Sequence, residues 1–297
     1  MKIYKDMDKL PSGRADDSIT EGCIVLEGGA WKGVYTLGVL DALMEEGINF
    51  RKTVGISAGA LAGIGYLSGQ IGWSIRIDLT YRHDPHYCGI KAFGRDHGIT
   101  GFSYLFHEIL KEYPLDKERL KTTSRRLAVG TTNMLTGETV YFEKVNCNFF
   151  RAVRASATVP YISRPVVIGG IPYLDGGCSV NIPYEWAKQQ GDSKIMVVKT
   201  REREYRCETG KLKAARRLYK GYPEFVESME KSNADFNEMT EELLKEEEKG
   251  TIFLMAPSKE VTISRFEGDV DKLAELYWLG YHDMKGRMPE LKAYLQK

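Results

Sequence analysis

The chain has 297 residues, with 42 Lys plus Arg against 41 Asp plus Glu and a net charge of +1. That balance argues against a protein built to bind nucleic acid, which carries a basic excess. The 42% apolar content supplies a sizeable core; the length suits one large α/β domain, or a domain of roughly 200 residues with a helical extension. Five cysteines (Cys23, Cys88, Cys147, Cys178, Cys207) are odd in number and form no C-x-x-C pair, so they indicate neither a disulfide framework nor a zinc ribbon. The opening MKIYKDMDKLPSGRADD is too polar for a signal peptide, and no run approaches ~18 apolar residues. The expectation is a cytoplasmic protein whose membrane contact, if any, is peripheral.

Residues 1–20 read as a polar N-terminal arm. Cys23-Ile24-Val25-Leu26 is an apolar run closed by Gly28-Gly29, the pattern of a buried strand entering a glycine turn. Val34, Leu37, Leu40, Leu43 and Met44 follow at helical spacing as far as Gly47. A second strand over 52–56 leads through Ser57-Ala58-Gly59 into a helix of small residues ending near Leu67. Two strand–turn–helix units in succession predict a parallel, right-handed α/β sheet. Residues 72–123 read as helical or irregular, with strands returning at 127–130 and 139–143. A helix is expected over 148–157, stopping before Pro160, then a hairpin over 166–174 that delivers Asp175-Gly176-Gly177. Strands at 194–199 and 251–255 bracket a strongly charged helical stretch at 211–249, and one or two packed helices follow from Asp271.

Three segments carry chemistry. Gly55-Ile56-Ser57-Ala58-Gly59 is a G-x-S-x-G between a strand and a helix. A serine there sits on a tight turn with Oγ exposed, and the helix start faces a developing oxyanion. Glu27-Gly28-Gly29-Ala30-Trp31-Lys32-Gly33 is neither a Walker loop nor G-x-G-x-x-G. By itself it is a helix-start turn; one βα unit before a nucleophilic serine, its amides suit an oxyanion hole. Tyr173-Leu174-Asp175-Gly176-Gly177 taken alone is a turn whose Asp bonds its own backbone. Asp175 acts as a general base only if it reaches Ser57 Oγ.

In this order and spacing the three segments resemble the patatin-like phospholipase family, whose pattern is G-G-G-x-[RK]-G, then G-x-S-x-G, then D-G-[GA]. The stretch from Ser156-Ala157-Thr158-Val159-Pro160 to Arg164-Pro165 also resembles the segment before the family's Asp. The resemblance implies a three-layer α/β/α fold with a central, mostly parallel sheet, and lipid acyl-ester hydrolysis by a Ser57–Asp175 dyad. Gly28, Gly29 and Ala30 would form the oxyanion hole, with Lys32, Gly33, Gly55, Gly59, Gly176 and Gly177 supporting the motifs. It covers about residues 21–200, the catalytic domain. Residues 201–297 then form a helical extension with one further strand, packed on that domain and similar to a bacterial branch of the family. Ala30 replaces a family glycine and cannot reach positive φ as cheaply.

Three alternatives stand beside this reading. The order Ser57…Asp175…His282 fits an α/β-hydrolase triad, although the nucleophile follows only the second strand. A non-catalytic module would use the glycine turns to hold a phosphate or nucleotide. His83 and His86 form an H-x-x-H without a third ligand, so no metal and no cofactor are expected. The partner expected is a lipid or other ester substrate. Lys211, Lys213, Arg216, Arg217 and Lys220, interleaved with apolar residues, suggest a lid or peripheral membrane contact. The acidic run that follows favours an ordinary solvated helix.

Overall fold

The computed structural model describes residues 3–143 and 149–297. β1 (Thr20–Leu26) buries every side chain from Cys23 to Leu26, as a strand covered on both faces must. The chain turns through Ala30–Gly33 into α1 (Val34–Glu45), returns in β2 (Phe50–Ile56) and leaves in α2 (Ala58–Ser68). Short helices between Trp73 and Thr122 lead to β3 (Arg126–Asn133) and β4 (Thr139–Glu143). Then come α3 (Phe149–Ser156), the hairpin β5 (Val166–Ile168) and β6 (Ile171–Asp175), α4 (Tyr184–Gln189) and β7 (Ile195–Val198). α5 (Pro223–Glu248), β8 (Ile252–Met255) and α6 (Val270–Gln296) complete it. The expectations for Cys147 and for Asn148 lie outside the described residues.

One sheet runs in the order β8-β7-β1-β2-β3-β6-β5, with β4 paired to β3. The five strands from β8 to β3 are parallel, and β4, β5 and β6 are antiparallel to their neighbours. A core containing side chains of α1, α2 and α6 fills one face, and a second containing those of α4 and α5 fills the other. The fold is therefore a three-layer α/β/α arrangement around a mostly parallel sheet.

The register along β3 positions the site. β2 pairs with β3 from Arg126 to Gly130, and β4 pairs with the opposite edge from Ala128 to Thr132. β6 pairs antiparallel with Thr131–Asn133, so it must lie on the β2 side, immediately beyond the end of β2. Ile56 is opposite Gly130 and Asp175 is opposite Thr131. The residue after β2 and the last residue of β6 thus meet end to end across one step of β3.

The polar arm is fastened to the body. Gly13–Arg14 pairs with Gln70–Ile71, Leu10 and Ala15 are buried, and Arg119 donates to the Ala15 carbonyl at 2.7 Å. The charged stretch 211–249 divides into a short helix, Lys213–Leu218, and α5. α5 buries Phe225, Val226, Phe236 and Leu243, while Arg216 is held by Glu230 at 2.6 Å. α6 is a single 27-residue helix with Pro289 inside it. Among the described residues no helix is long and apolar enough to cross a membrane.

α6 lies close against α1 because glycines face each other's backbone. A Cβ on Gly280 would strike the Tyr35 carbonyl, and one on Gly38 would strike the Tyr277 carbonyl. Tyr277 adds a 2.7 Å hydrogen bond to the buried Asp41. Gly280→Val is therefore expected to force the helices apart and destabilise the protein by about 1–3 kcal/mol or more. Urea unfolding measures this; a midpoint equal to wild type would contradict the close crossing.

Candidate active site

Ser57 sits between the end of β2 and the start of α2 with φ 53° and ψ −118°, a conformation that costs a non-glycine residue about 1–3 kcal/mol. The surroundings hold it there. Its amide donates to Ser156 Oγ at 2.8 Å, and that hydroxyl donates to the Gly130 carbonyl at 2.6 Å. Gly55 and Gly59 keep the crossing tight: a Cβ on Gly59 would collide with the Leu26 carbonyl, and one on Gly55 with the backbone of Gly59. Gly33 leaves room for the Ala58 methyl, which would stand 2.5 Å from a Cβ there. Ser156 was visible in the sequence only as one residue of a resembling segment. Its hydroxyl, bridging elbow and sheet, leaves no signal in local pattern.

Ser57 Oγ donates to Asp175 Oδ2 at 2.9 Å, and the Gly177 amide donates to Asp175 Oδ1 at 2.8 Å. Gly176 has no room for a side chain, since a Cβ would meet the Gly130 carbonyl. Thr132 Oγ1 donates to the Asp175 carbonyl at 2.8 Å, pinning the end of β6 to β3. Burial raises the Asp175 carboxyl to about 6; the Gly177 amide, Ser57 and the nearby Arg265 pull it the other way. Such a carboxylate is a stronger base than an ordinary one and is ionised at neutral pH.

In the glycine turn the Gly28 amide donates to the Asn181 carbonyl at 3.0 Å. Of the three amides expected to form the hole, that of Gly28 already has an acceptor. The Gly29 and Ala30 amides donate to no acceptor among the described residues. The Ala58 amide, first in α2, belongs to the group with no intrahelical partner. Ala30 has φ 49°, in the left-handed region that favours glycine. Ala30→Gly is expected to stabilise the protein by about 0.5–1 kcal/mol, the relief of strain exceeding the extra unfolded-state freedom. Thermal melting checks this, and a lower melting temperature would contradict it. Lys32 is buried at 9% exposure, and its ammonium has no hydrogen-bond or ion-pair partner among the described residues. Burial lowers it to about 8, and Arg201 and Arg265 push the same way.

Two cavities meet at Ser57. The first, ≈ 150 Å³, is mostly apolar, with Leu37, Leu61, Ile64, Trp73, Phe102 and Leu105 among its walls. The second, ≈ 360 Å³, is the more polar of the two and includes Glu27, Lys32, Asp175, Asn181, Arg201 and Arg265. Ala30, Ser57, Val159 and Arg265 line both.

No histidine lines either cavity. His282 is exposed on α6 and stacks on Trp278 with ring centroids 5.5 Å apart, so the Ser57–Asp175–His282 triad is not assembled. His86 is bound to Asp84 at 3.0 Å, and among the described residues no three His, Cys, Asp or Glu are grouped to hold a metal. The four described cysteines are free.

A parallel α/β sheet with a serine on the first strand–helix elbow but one, and an Asp-Gly-Gly at a neighbouring strand end, defines the class. Residues 24–188 match the patatin-like phospholipase family, more than half of the chain, and the chain belongs to it. Residues 222–296 match a domain of unknown function, DUF6363. The chain is 29% identical over 182 residues to the uncharacterized protein YjjU of Escherichia coli K12, covering 60% of this chain and 51% of that protein. It is 28% identical over 189 residues to the probable lipid hydrolase 463L of Invertebrate iridescent virus 6, covering 58% of this chain and 64% of that one. The match thus spans less than two thirds of either relative. VipD from Legionella pneumophila aligns over 99% of this chain and 70% of its own, with a TM-score of 0.47 and 15% identity.

Proposed function

We propose that the protein is a serine acyl hydrolase that cleaves carboxylic esters of lipids, in the manner of a phospholipase A or lysophospholipase. The observation that carries this reading is the 2.9 Å bond from Ser57 Oγ to Asp175 at the junction of an apolar and a polar cavity. Asp175 takes the Ser57 proton as Oγ attacks the ester carbonyl carbon. The Gly29 and Ala30 amides, with the start of α2, stabilise the tetrahedral oxyanion; one such donor is worth on the order of 10² in rate. Collapse breaks the ester C–O bond, and Asp175 returns the proton to the leaving alkoxide. Water, deprotonated by Asp175, then attacks the acyl carbon; the C–Oγ bond breaks, Asp175 returns the proton to Ser57 Oγ, and the acid is released. The same reading includes peripheral contact with a lipid surface. Leu218 is 57% exposed beside Tyr219, whose hydroxyl holds the backbone of Tyr161 at the polar cavity.

The acyl chain lies in the apolar cavity and the alcohol in the polar one. A cavity near 150 Å³ accepts a group on the order of six to eight carbons. Turnover of p-nitrophenyl esters from butanoate to palmitate is therefore expected to peak near hexanoate or octanoate, and Ser57→Ala to fall to background. Turnover that survives Ser57→Ala, or none on any ester, would refute the reading.

A further inference from the structure

The segment between β8 and α6 reaches the proposed catalytic cavities although it lies far outside residues 24–188. Arg265 lines both cavities, and Phe266 lines the apolar one. The segment is clamped by Arg82 from the matched family region and by Arg201 and Glu202 just after β7. Arg82 donates to the Phe266 carbonyl at 3.0 Å and also to that of Glu267, while its guanidinium lies 4.7 Å from the centre of the Trp31 ring. Arg201 donates to the Val261 carbonyl at 2.7 Å, and Glu202 accepts from the Val261 amide. Glu267 accepts from the amides of Gly268 and Asp269 at 2.9 and 3.0 Å, closing the turn before α6. These bonds fix the backbone around Arg265 and leave its guanidinium with no hydrogen-bond or ion-pair partner among the described residues.

The charges in the polar cavity are unequal. Lys32, Arg201 and Arg265 supply three cations, against the carboxyl groups of Glu27 and Asp175. Glu27 is buried, accepts the Thr200 amide at 2.5 Å, and is raised by burial to about 7, so near neutral pH it offsets only part of one positive charge. Asp175 is bound to Ser57 and Gly177. An ammonium as buried as Lys32 with no partner is costly unless a ligand supplies the counter-charge. Guanidinium and ammonium groups converging on one pocket are the usual means of holding a phosphate.

We propose that Arg265, supplied by the C-terminal segment, is a specificity-determining residue that binds, with Lys32 and Arg201, a phosphate on the alcohol side of the ester. The proposal rests on the hydrolase reading and adds to it: the domain of unknown function completes the substrate site. The two matched regions meet in one sheet, β8 joining β1 through β7, and in the α1–α6 crossing.

The test compares two substrates that differ only in the phosphate, 1-octanoylglycerol and 1-octanoylglycerol 3-phosphate, with the full chain. Arg265→Ala is expected to lower kcat/KM for the phosphate ester about 10- to 100-fold, the worth of a charge-assisted hydrogen bond. The loss is expected mainly in KM, and it is read as the ratio of kcat/KM for the two esters at pH 7.5, because Arg265 also acts on Asp175 and so on both substrates alike. Arg265→Lys restores part of the loss, and Arg265→Glu deepens it. Because Arg265 is exposed, melting temperatures of the variants stay at the wild-type value. Equal losses on both esters, or unchanged discrimination while the neutral ester still turns over, overturns the proposal alone. Absence of turnover on both esters by the wild type removes the hydrolase reading, and this proposal with it.

Discussion

Asp175→Asn is expected to lower kcat/KM for ester hydrolysis by about 10²–10⁴-fold, the range of a positioned general base. The substitution is nearly isosteric. The Asn carbonyl can still accept the Gly177 amide that Asp175 Oδ1 accepts at 2.8 Å, and the end of β6 stays pinned by Thr132. What is lost is the ability to take a proton from Ser57 Oγ at 2.9 Å. Folding does not confound the result, since the variant also removes a carboxylate that is ionised while fully buried. At pH 7.5 its melting temperature should equal or exceed that of wild type. Steady-state kinetics on a hexanoyl ester, with a melt on the same sample, checks both halves. Wild-type turnover in Asp175→Asn would move the base to another group.

The second large effect is on pH. Asp175 ionises at about 6, so kcat/KM is expected to be flat above pH 7 and to fall tenfold per unit well below 6. Stability runs the other way. Glu27 and Asp41 are raised to about 7, and Asp78 and Asp175 to about 6, in every case chiefly by burial. In the unfolded chain these groups ionise near 3.8 or 4.5. Between about pH 4 and 7 the folded state therefore binds more protons than the unfolded state, and stability declines as pH rises through that window. Carboxylates held low by partners, such as Glu230, pushed to about 2 by Arg216 and the Leu212 amide, act only below about pH 4.5. The melting temperature should thus be higher at pH 5 than at pH 7.5, while activity is higher at pH 7.5. The advantage of Asp175→Asn in stability should shrink at pH 5. Melting temperatures that rise from pH 5 to 7.5 would contradict the burial of these carboxyls.

Much of the fold can be read locally. β1 and β2 are apolar runs ending in glycine, and α1 and α2 follow at helical spacing. Ser57 is legible for the same reason, because strand, tight turn, small neighbours and helix start all lie within a dozen residues. Asp175 is different. Its nearness to Ser57 comes from β6 pairing antiparallel with β3 just past the end of β2, a pairing across more than forty residues that no local pattern encodes. The resemblance supplied Asp175 as a candidate; the register explains how it arrives. Arg265 had no signal at all: it stands in an irregular segment, and only the clamp by Arg82 and Arg201 turns it toward the cavities. Lys32 was legible as the cation of the glycine motif, and its burial without a partner was not. Gly28 shows the limit of motif reasoning, since residue type cannot reveal that its amide is already bound to Asn181.

The central claim is that Ser57 is a nucleophile activated by Asp175. A fluorophosphonate reacts rapidly with an activated serine, and mass spectrometry of the digested protein locates the adduct. The account predicts one adduct, on Ser57, formed rapidly in wild type, far more slowly in Asp175→Asn and at the wild-type rate in His282→Ala. An unlabelled Ser57, or labelling abolished by His282→Ala, would contradict it.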